Sequence, residues 1–142
     1  MTPARIVPWF SRAVLLAALA VLALIGRKFV GDPVGSATAS GITLGTPLAL
    51  TNMRASFGAF PLGCSLFVLV CLVTASLRRT GLIFVMLVIG TALAVRVFGI
   101  IVDGTFGDSL RVLAAETVLF CLCFAAYSAE RLTGGNPESR RA

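Results

Sequence analysis

Histidine is missing from all 142 residues of this chain. Its absence excludes bis-histidine haem, most zinc enzymes and any Ser–His or Cys–His catalytic couple. Charge is scarce as well, at 13% of residues, where roughly a quarter is usual for a soluble domain. Aromatics make up 8%, with one Trp and one Tyr. No Cys-x-x-Cys pair, glycine-rich phosphate loop, paired catalytic carboxylates or nucleophile elbow occurs. No catalytic residue, metal ligand set or cofactor is therefore assigned. What fills the chain is hydrocarbon: 58% of residues are apolar and the mean hydropathy is +0.99. That composition belongs to a membrane protein.

A helix needs about 20 mostly apolar residues to cross a hydrocarbon core of roughly 30 Å. Four stretches meet that length, at about 6–26, 47–77, 81–102 and 109–132. With no water to satisfy the backbone in lipid, each is read as a helix. The expected architecture is a single all-α, four-transmembrane-helix domain over 1–133, with an external loop at about 27–46. A disordered cytoplasmic tail is expected at 134–142. The first span has the basic start and short apolar run of a signal peptide. The cleavage-like triplet Ala37-Thr38-Ala39 lies well past that run, with Arg27-Lys28 between, so the span is read as a retained helix.

Local punctuation sets the ends. Thr46-Pro47 reads as an N-cap followed by a first-turn proline, which places Asn52 and Arg54 on helix. Arg78-Arg79-Thr80-Gly81 reads as a tight link, and Asp108 or Ser109 as the cap of the last helix. Pro61 is expected to interrupt the second helix. Small residues spaced by four (Ala55, Ala59 and Gly63; Gly90 and Ala94; Ala125 and Ala129) are the expected packing stripes.

Orientation follows from the basic residues. Four spans put both termini and the 78–81 link on one side, with Arg5, Arg12, Arg78, Arg79, Arg131, Arg140 and Arg141. The positive-inside bias makes that side cytoplasmic, an N-in/C-in arrangement. Trp9, Phe10 and Tyr127 fall near the same boundary as interfacial anchors. This also accounts for the net charge of +6 without nucleic acid, which would want a soluble basic face interleaved with aromatics.

Ionisable groups within the spans are the candidates for function. Arg96 lies seven residues before Asp103, about 10 Å into the third span. Glu116 lies eight residues past Asp108, about 12 Å down the fourth. In an antiparallel hairpin these depths match, so an Arg96–Glu116 ion pair is expected. Arg54 sits at comparable depth on the second span, and Asp103 is two turns above Arg96. Two readings stand. In one, the charges are a satisfied network that sets helix register, and the protein is an accessory subunit of a larger membrane complex. In the other, Asn52, Arg54, Arg96, Asp103 and Glu116 line a polar pocket for an amphiphilic, lipid- or quinone-like ligand. A membrane redox enzyme or a transporter is less favoured. Beyond the bilayer, a membrane-protein partner or a second copy remains open. The four cysteines (Cys64, Cys71, Cys121 and Cys123) read as small apolar packing residues.

The series Asn52-Met53-Arg54-Ala55-Ser56-Phe57-Gly58, Leu62-Gly63, Arg78-Arg79-Thr80-Gly81-Leu82, Arg96-Val97-Phe98-Gly99, Asp103-Gly104 and Glu116-Thr117 resembles a known pattern. It is similar to the bacterial four-helix membrane family catalogued as domain of unknown function 4345, with DoxX-like relatives. The resemblance implies a four-helix bundle in the bacterial inner membrane, with Arg54, Gly58, Arg96, Asp103, Gly104 and Glu116 at motif positions. It implies no reaction. Phe57 stands where an aromatic bearing a hydroxyl is more usual in that family.

Overall fold

The structure, a computed structural model, describes residues 3–134, without the side chains of residues 3–5 and 108. Of the tail expected at 134–142, Gly134 ends the last helix and residues 135–142 lie outside the described residues. Six helices follow one another: α1 (Pro3–Gly31), α2 (Pro33–Ala39), α3 (Pro47–Met53), α4 (Phe60–Val73), α5 (Arg78–Asp103) and α6 (Phe106–Gly134). A π-helical segment, Arg54–Ala59, joins α3 to α4, and a 3-10 turn, Ala75–Leu77, precedes α5. Among the described residues there is no strand. Four apolar stretches of 25 to 29 residues, Ile6–Gly31, Pro47–Val73, Ala75–Asp103 and Ser109–Thr133, are long enough to cross a membrane. At about 1.5 Å per residue each exceeds the roughly 30 Å required. The chain reads as a multi-pass helical membrane protein.

The helix ends differ from expectation in instructive ways. α1 does not stop near Gly26 but runs to Gly31, because Arg27, Lys28, Phe29 and Val30 contain no breaker. Asp32 then caps α2, its Oδ1 accepting from the Gly35 N–H at 2.9 Å, with Pro33 at the first helical position. Within the stretch expected as an external loop, then, lie the end of α1 and a two-turn helix. α2 closes with the Ile42 N–H on the Ala37 carbonyl, at 2.9 Å, around Gly41 at φ +74°. Thr46 caps α3 as expected, accepting from the Ala49 N–H at 3.2 Å.

The link between the second and third spans is Thr74–Leu77, not Arg78–Gly81. Thr74 is extended (φ −100°, ψ 105°), and Arg78 already belongs to α5. Nor does α6 start at Asp108 or Ser109: it starts at Phe106, with the Thr105 carbonyl accepting from the Ser109 N–H at 3.1 Å. Gly104, left-handed at φ +68°, ends α5 through its N–H on the Ile100 carbonyl at 3.1 Å. That closure leaves Gly104 and Thr105 between the two helices.

Pro61 acts one turn upstream of itself. It has no N–H, and in a regular helix its ring collides with the carbonyl four residues back, here that of Phe57. The chain widens instead, so that the Phe60 N–H bonds the Ala55 carbonyl five residues back.

The molecule divides into two compact units, Leu16–Val70 and Met1–Leu15 with Cys71–Ala142, each described by itself. In the first, α1 and the second span approach at two glycines. A Cβ on Gly26 would lie 2.7 Å from the Gly58 carbonyl and 2.6 Å from Leu62 Cγ. A Cβ on Gly58 would lie 2.6 Å from Val30 Cγ2. Phe29 and Phe57 stack beside them, ring centroids 5.5 Å apart and tilted by 34°. In the second unit, Gly81 of α5 is closed in by Cys71 and Leu15, a Cβ there falling 2.6 Å from Cys71 Cβ. Gly90 lies against the ring of Phe120 on α6, at 3.1 Å by the same measure.

Apart from Gly90, the close-packed residues are not those of the expected stripes, and Gly58 lies outside them. Ala55, Ala59, Gly63, Ala94 and Ala125 are exposed, while Ala18, Ala37 and Ala126 are fully buried. A four-residue spacing gives the period of a face but not its phase, and the π-helical segment shifts that phase within the second span. Ile83, Leu87, Val95, Val118 and Phe124 are exposed large apolar side chains of the kind lipid solvates.

Candidate functional site

α5 and α6 form an antiparallel hairpin whose contacts pair residues with numbers summing to about 210, as Gly90 and Phe120 do. That register brings Arg96 opposite Glu116. The Arg96 Nε–H donates to Glu116 Oε2 at 2.9 Å and an Nη2–H donates to Oε1 at 2.8 Å. The pair is bidentate: two planar groups meet fork to fork, the strongest geometry open to a guanidinium and a carboxylate. Side-chain exposure is 32% for Arg96 and 17% for Glu116. Within a membrane the water-shielded side of such a pair saves several kcal/mol per charge relative to facing lipid alone. The pairing expected from matched depths is therefore formed.

The other candidates are placed differently. Arg54 sits in the π-helical segment of the Leu16–Val70 unit. Its Nε–H donates to the Val30 carbonyl at 3.2 Å, in the last turn of α1. A cation there meets the negative end of the helix dipole and an otherwise orphaned carbonyl. Asn52, on α3, is exposed with no side-chain bond. Asp103 is exposed and does not bracket Arg96; its Oδ2 lies over Gly99, 3.6 Å from where a Cβ would be. Arg111 is exposed without an ion pair among the described residues, and the side chain of Asp108 lies outside them. Of the five candidates, the described contacts bring together Arg96 and Glu116.

A second polar centre escaped the sequence reading. Glu130 of α6 is buried, with 8% side-chain exposure, and takes two guanidiniums from the start of α5. The Arg78 Nε–H donates to Oε1 at 3.2 Å, and Arg79 Nε approaches Oε2 at 3.7 Å. Arg79 Nη2–H also donates to the Glu130 backbone carbonyl at 2.6 Å. Glu130 was passed over because it stands beside Arg131 at a helix end, where charge is ordinarily solvated. The available signal was spacing: Glu116 and Glu130 are 14 residues apart and Arg78 and Arg96 are 18, both close to whole numbers of helical turns. Each helix therefore carries its two charges on one face.

The remaining side-chain hydrogen bonds include local ones to the helix backbone, while Ser11 Oγ is buried without a partner among the described residues. Ser65 Oγ donates to the Leu62 carbonyl at 2.7 Å and Thr117 Oγ1 to that of Leu113 at 2.7 Å. All four cysteines are free thiols, with Cys64, Cys71 and Cys123 buried and Cys121 exposed.

A run of long apolar helices, with its internal charges paired across one hairpin, defines a multi-pass helical membrane protein. Its sequence matches the model of one family, described as "Domain of unknown function (DUF4345)", over residues 5–127. The chain belongs to that family. No curated protein and no solved structure matches it.

Proposed function

We propose that this chain is a non-enzymatic accessory bundle of the bacterial cytoplasmic membrane, with both termini in the cytoplasm, whose internal charges clamp the α5–α6 hairpin. The observation that carries this reading is the consumption of both α6 glutamates: Glu116 is held bidentately and Glu130 by two guanidiniums. The charge of each carboxylate is already matched by guanidinium across the hairpin, which is what a structural clamp requires. A hairpin set in register by two clamps offers fixed apolar faces to a larger membrane complex, the role this reading assigns it. The excess of arginines at the α1, α5 and α6 ends on the shared side supports the orientation.

Charge reversal tests the clamp. Arg96→Glu and Glu116→Arg are each expected to destabilise the protein in nanodiscs, and the double exchange to restore most of the loss. A double exchange no better than either single variant overturns the reading. Native mass spectrometry of the wild-type chain then tests the accessory role, through a stoichiometric protein partner.

A second reading has one observation in its favour. Arg96 Nη1 makes no bond among the described residues, on a side chain about one-third exposed (32%). That nitrogen is the donor for a carbonyl or anionic headgroup of a lipid- or quinone-like amphiphile. Arg54, engaged at Val30, and the unpaired Asn52 and Asp103 are not carried into this reading. Loss of a co-purifying amphiphile in Arg96→Lys, with the fold intact, would favour it over the clamp alone.

A further inference from the structure

We infer that the end of the hairpin where Arg78 and Arg79 meet Glu130 is a docking surface for the headgroup of an anionic phospholipid. The inference does not rest on the role of the Arg96–Glu116 pair. Two guanidiniums share one carboxylate there, so one positive charge is left uncompensated at the seam of α5 and α6. Arg78 and Arg79 also open α5, at the positive end of its dipole, where the preceding Leu77 supplies no side-chain cap. Cations at that end are unfavourable unless an anion joins them. Glu130 supplies one negative charge; the remainder faces outward through Arg79, whose side chain is 48% exposed.

The neighbouring residues extend the same sign. Arg131 follows Glu130 on α6 and is exposed. On α1, Leu15 packs against Gly81, and four spans in series make the first and third run the same way. Three residues back along each helix come Arg12 and Arg78, at matching depth. Arg12 lies over the ring of Trp9, 5.5 Å from its centroid, and Trp9 is 70% exposed. A tryptophan stacked by a guanidinium at a span end is suited to the headgroup level of a bilayer. Charge complementarity selects the occupant: four arginines against one carboxylate, beside an interfacial indole, match a headgroup of net negative charge rather than a zwitterionic one, whose phosphate is balanced by its own cation.

The test uses the full chain in nanodiscs of equal parts phosphatidylglycerol and phosphatidylcholine, read by native mass spectrometry. Retained adducts are expected to be enriched in phosphatidylglycerol. Each guanidinium removed, as Arg12→Gln, Arg79→Gln or Arg131→Gln, is expected to lower that enrichment about fivefold. Arg111→Gln, with the same loss of charge, is expected to leave it unchanged. Arg12 and Arg131 make no bond to Glu130, so their variants answer even if Arg79→Gln fails to fold. Equal adducts of both lipids, or an equal loss in Arg111→Gln, would overturn the inference. So would inorganic phosphate stabilising the chain in phosphatidylcholine nanodiscs as well as phosphatidylglycerol does, which would mark a site for soluble anions.

Discussion

At the scale of the residue, the two glutamates of α6 differ in what their loss should cost. Glu116→Gln removes charge from a bidentate pair and leaves Arg96 partly desolvated. Because the two side chains bond each other, Arg96→Gln and Glu116→Gln should be strongly non-additive, with a coupling of about 1–3 kcal/mol in a thermal or denaturant cycle. Additive losses would mean that the pair contributes no mutual stabilisation. Glu130→Gln should cost more, about 3 kcal/mol, because it leaves two neighbouring guanidiniums, that of Arg78 largely buried, without their shared counter-charge. Arg78→Gln should be worse than Arg79→Gln, since Arg78 makes the closer contact with the carboxylate, 3.2 against 3.7 Å, and is the less exposed at 17% against 48%. Equal melting temperatures for the two variants would contradict that order. The depth match that pointed to Arg96 and Glu116 was legible because both flank the same short turn, so their distances from it are counted directly. Arg54 was not legible in the same way. Its partner is a main-chain carbonyl, Val30, and a carbonyl leaves no mark in a sequence.

At the scale of the element, close approach decides which small residues matter. Gly26→Ala places a methyl 2.7 Å from the Gly58 carbonyl and 2.6 Å from Leu62 Cγ. Backbone cannot yield as a side-chain tip can, so the two helices must separate, at a cost of roughly 1–3 kcal/mol. Gly63→Ala meets nothing within 4 Å and should be neutral or slightly stabilising through helix propensity. Both are read from unfolding midpoints, and a Gly63 variant as harmful as the Gly26 one would refute the assignment of faces. The expected Ala55-Ala59-Gly63 stripe shows why sequence alone went astray. A π-helical turn inserts an extra residue, so regular spacing across Arg54–Ala59 ceases to describe a straight face. The proline that causes it was read correctly as an interruption, while the form the interruption takes depended on which carbonyls could be spared. Gly104→Ala offers a cleaner case: the site has open space, but its φ of +68° is unfavourable for a Cβ. A loss of about 1 kcal/mol is expected.

At the scale of the whole molecule, the number of membrane crossings fixes which loops share a side. Under the proposed topology, four spans crossing in series would put the Ala75–Leu77 turn on the side of the N-terminus and Ser40 on the other. In a cysteine-free background, Ser76→Cys and Ser40→Cys are therefore expected to react with a membrane-impermeant maleimide from opposite faces. Under the proposed orientation Ser40→Cys labels from outside the cell and Ser76→Cys only after the membrane is opened. Labelling of both from one side would remove a span from the count. Hydrocarbon length, the missing histidine and the rarity of charge were sufficient to read an all-helical membrane chain, because a bilayer tolerates so few alternatives for a backbone without water. The capping chemistry of Thr46-Pro47 was equally plain, being local. Other features depended on partners distant in the chain: Glu130 against Arg78 and Arg79, Gly26 against Gly58, Arg54 on the end of α1. Which face of an apolar helix turns inward is not written in its composition when lipid and protein interior are equally apolar. There, phase is set by contact, through sterics at glycine and electrostatics at the buried ion pairs.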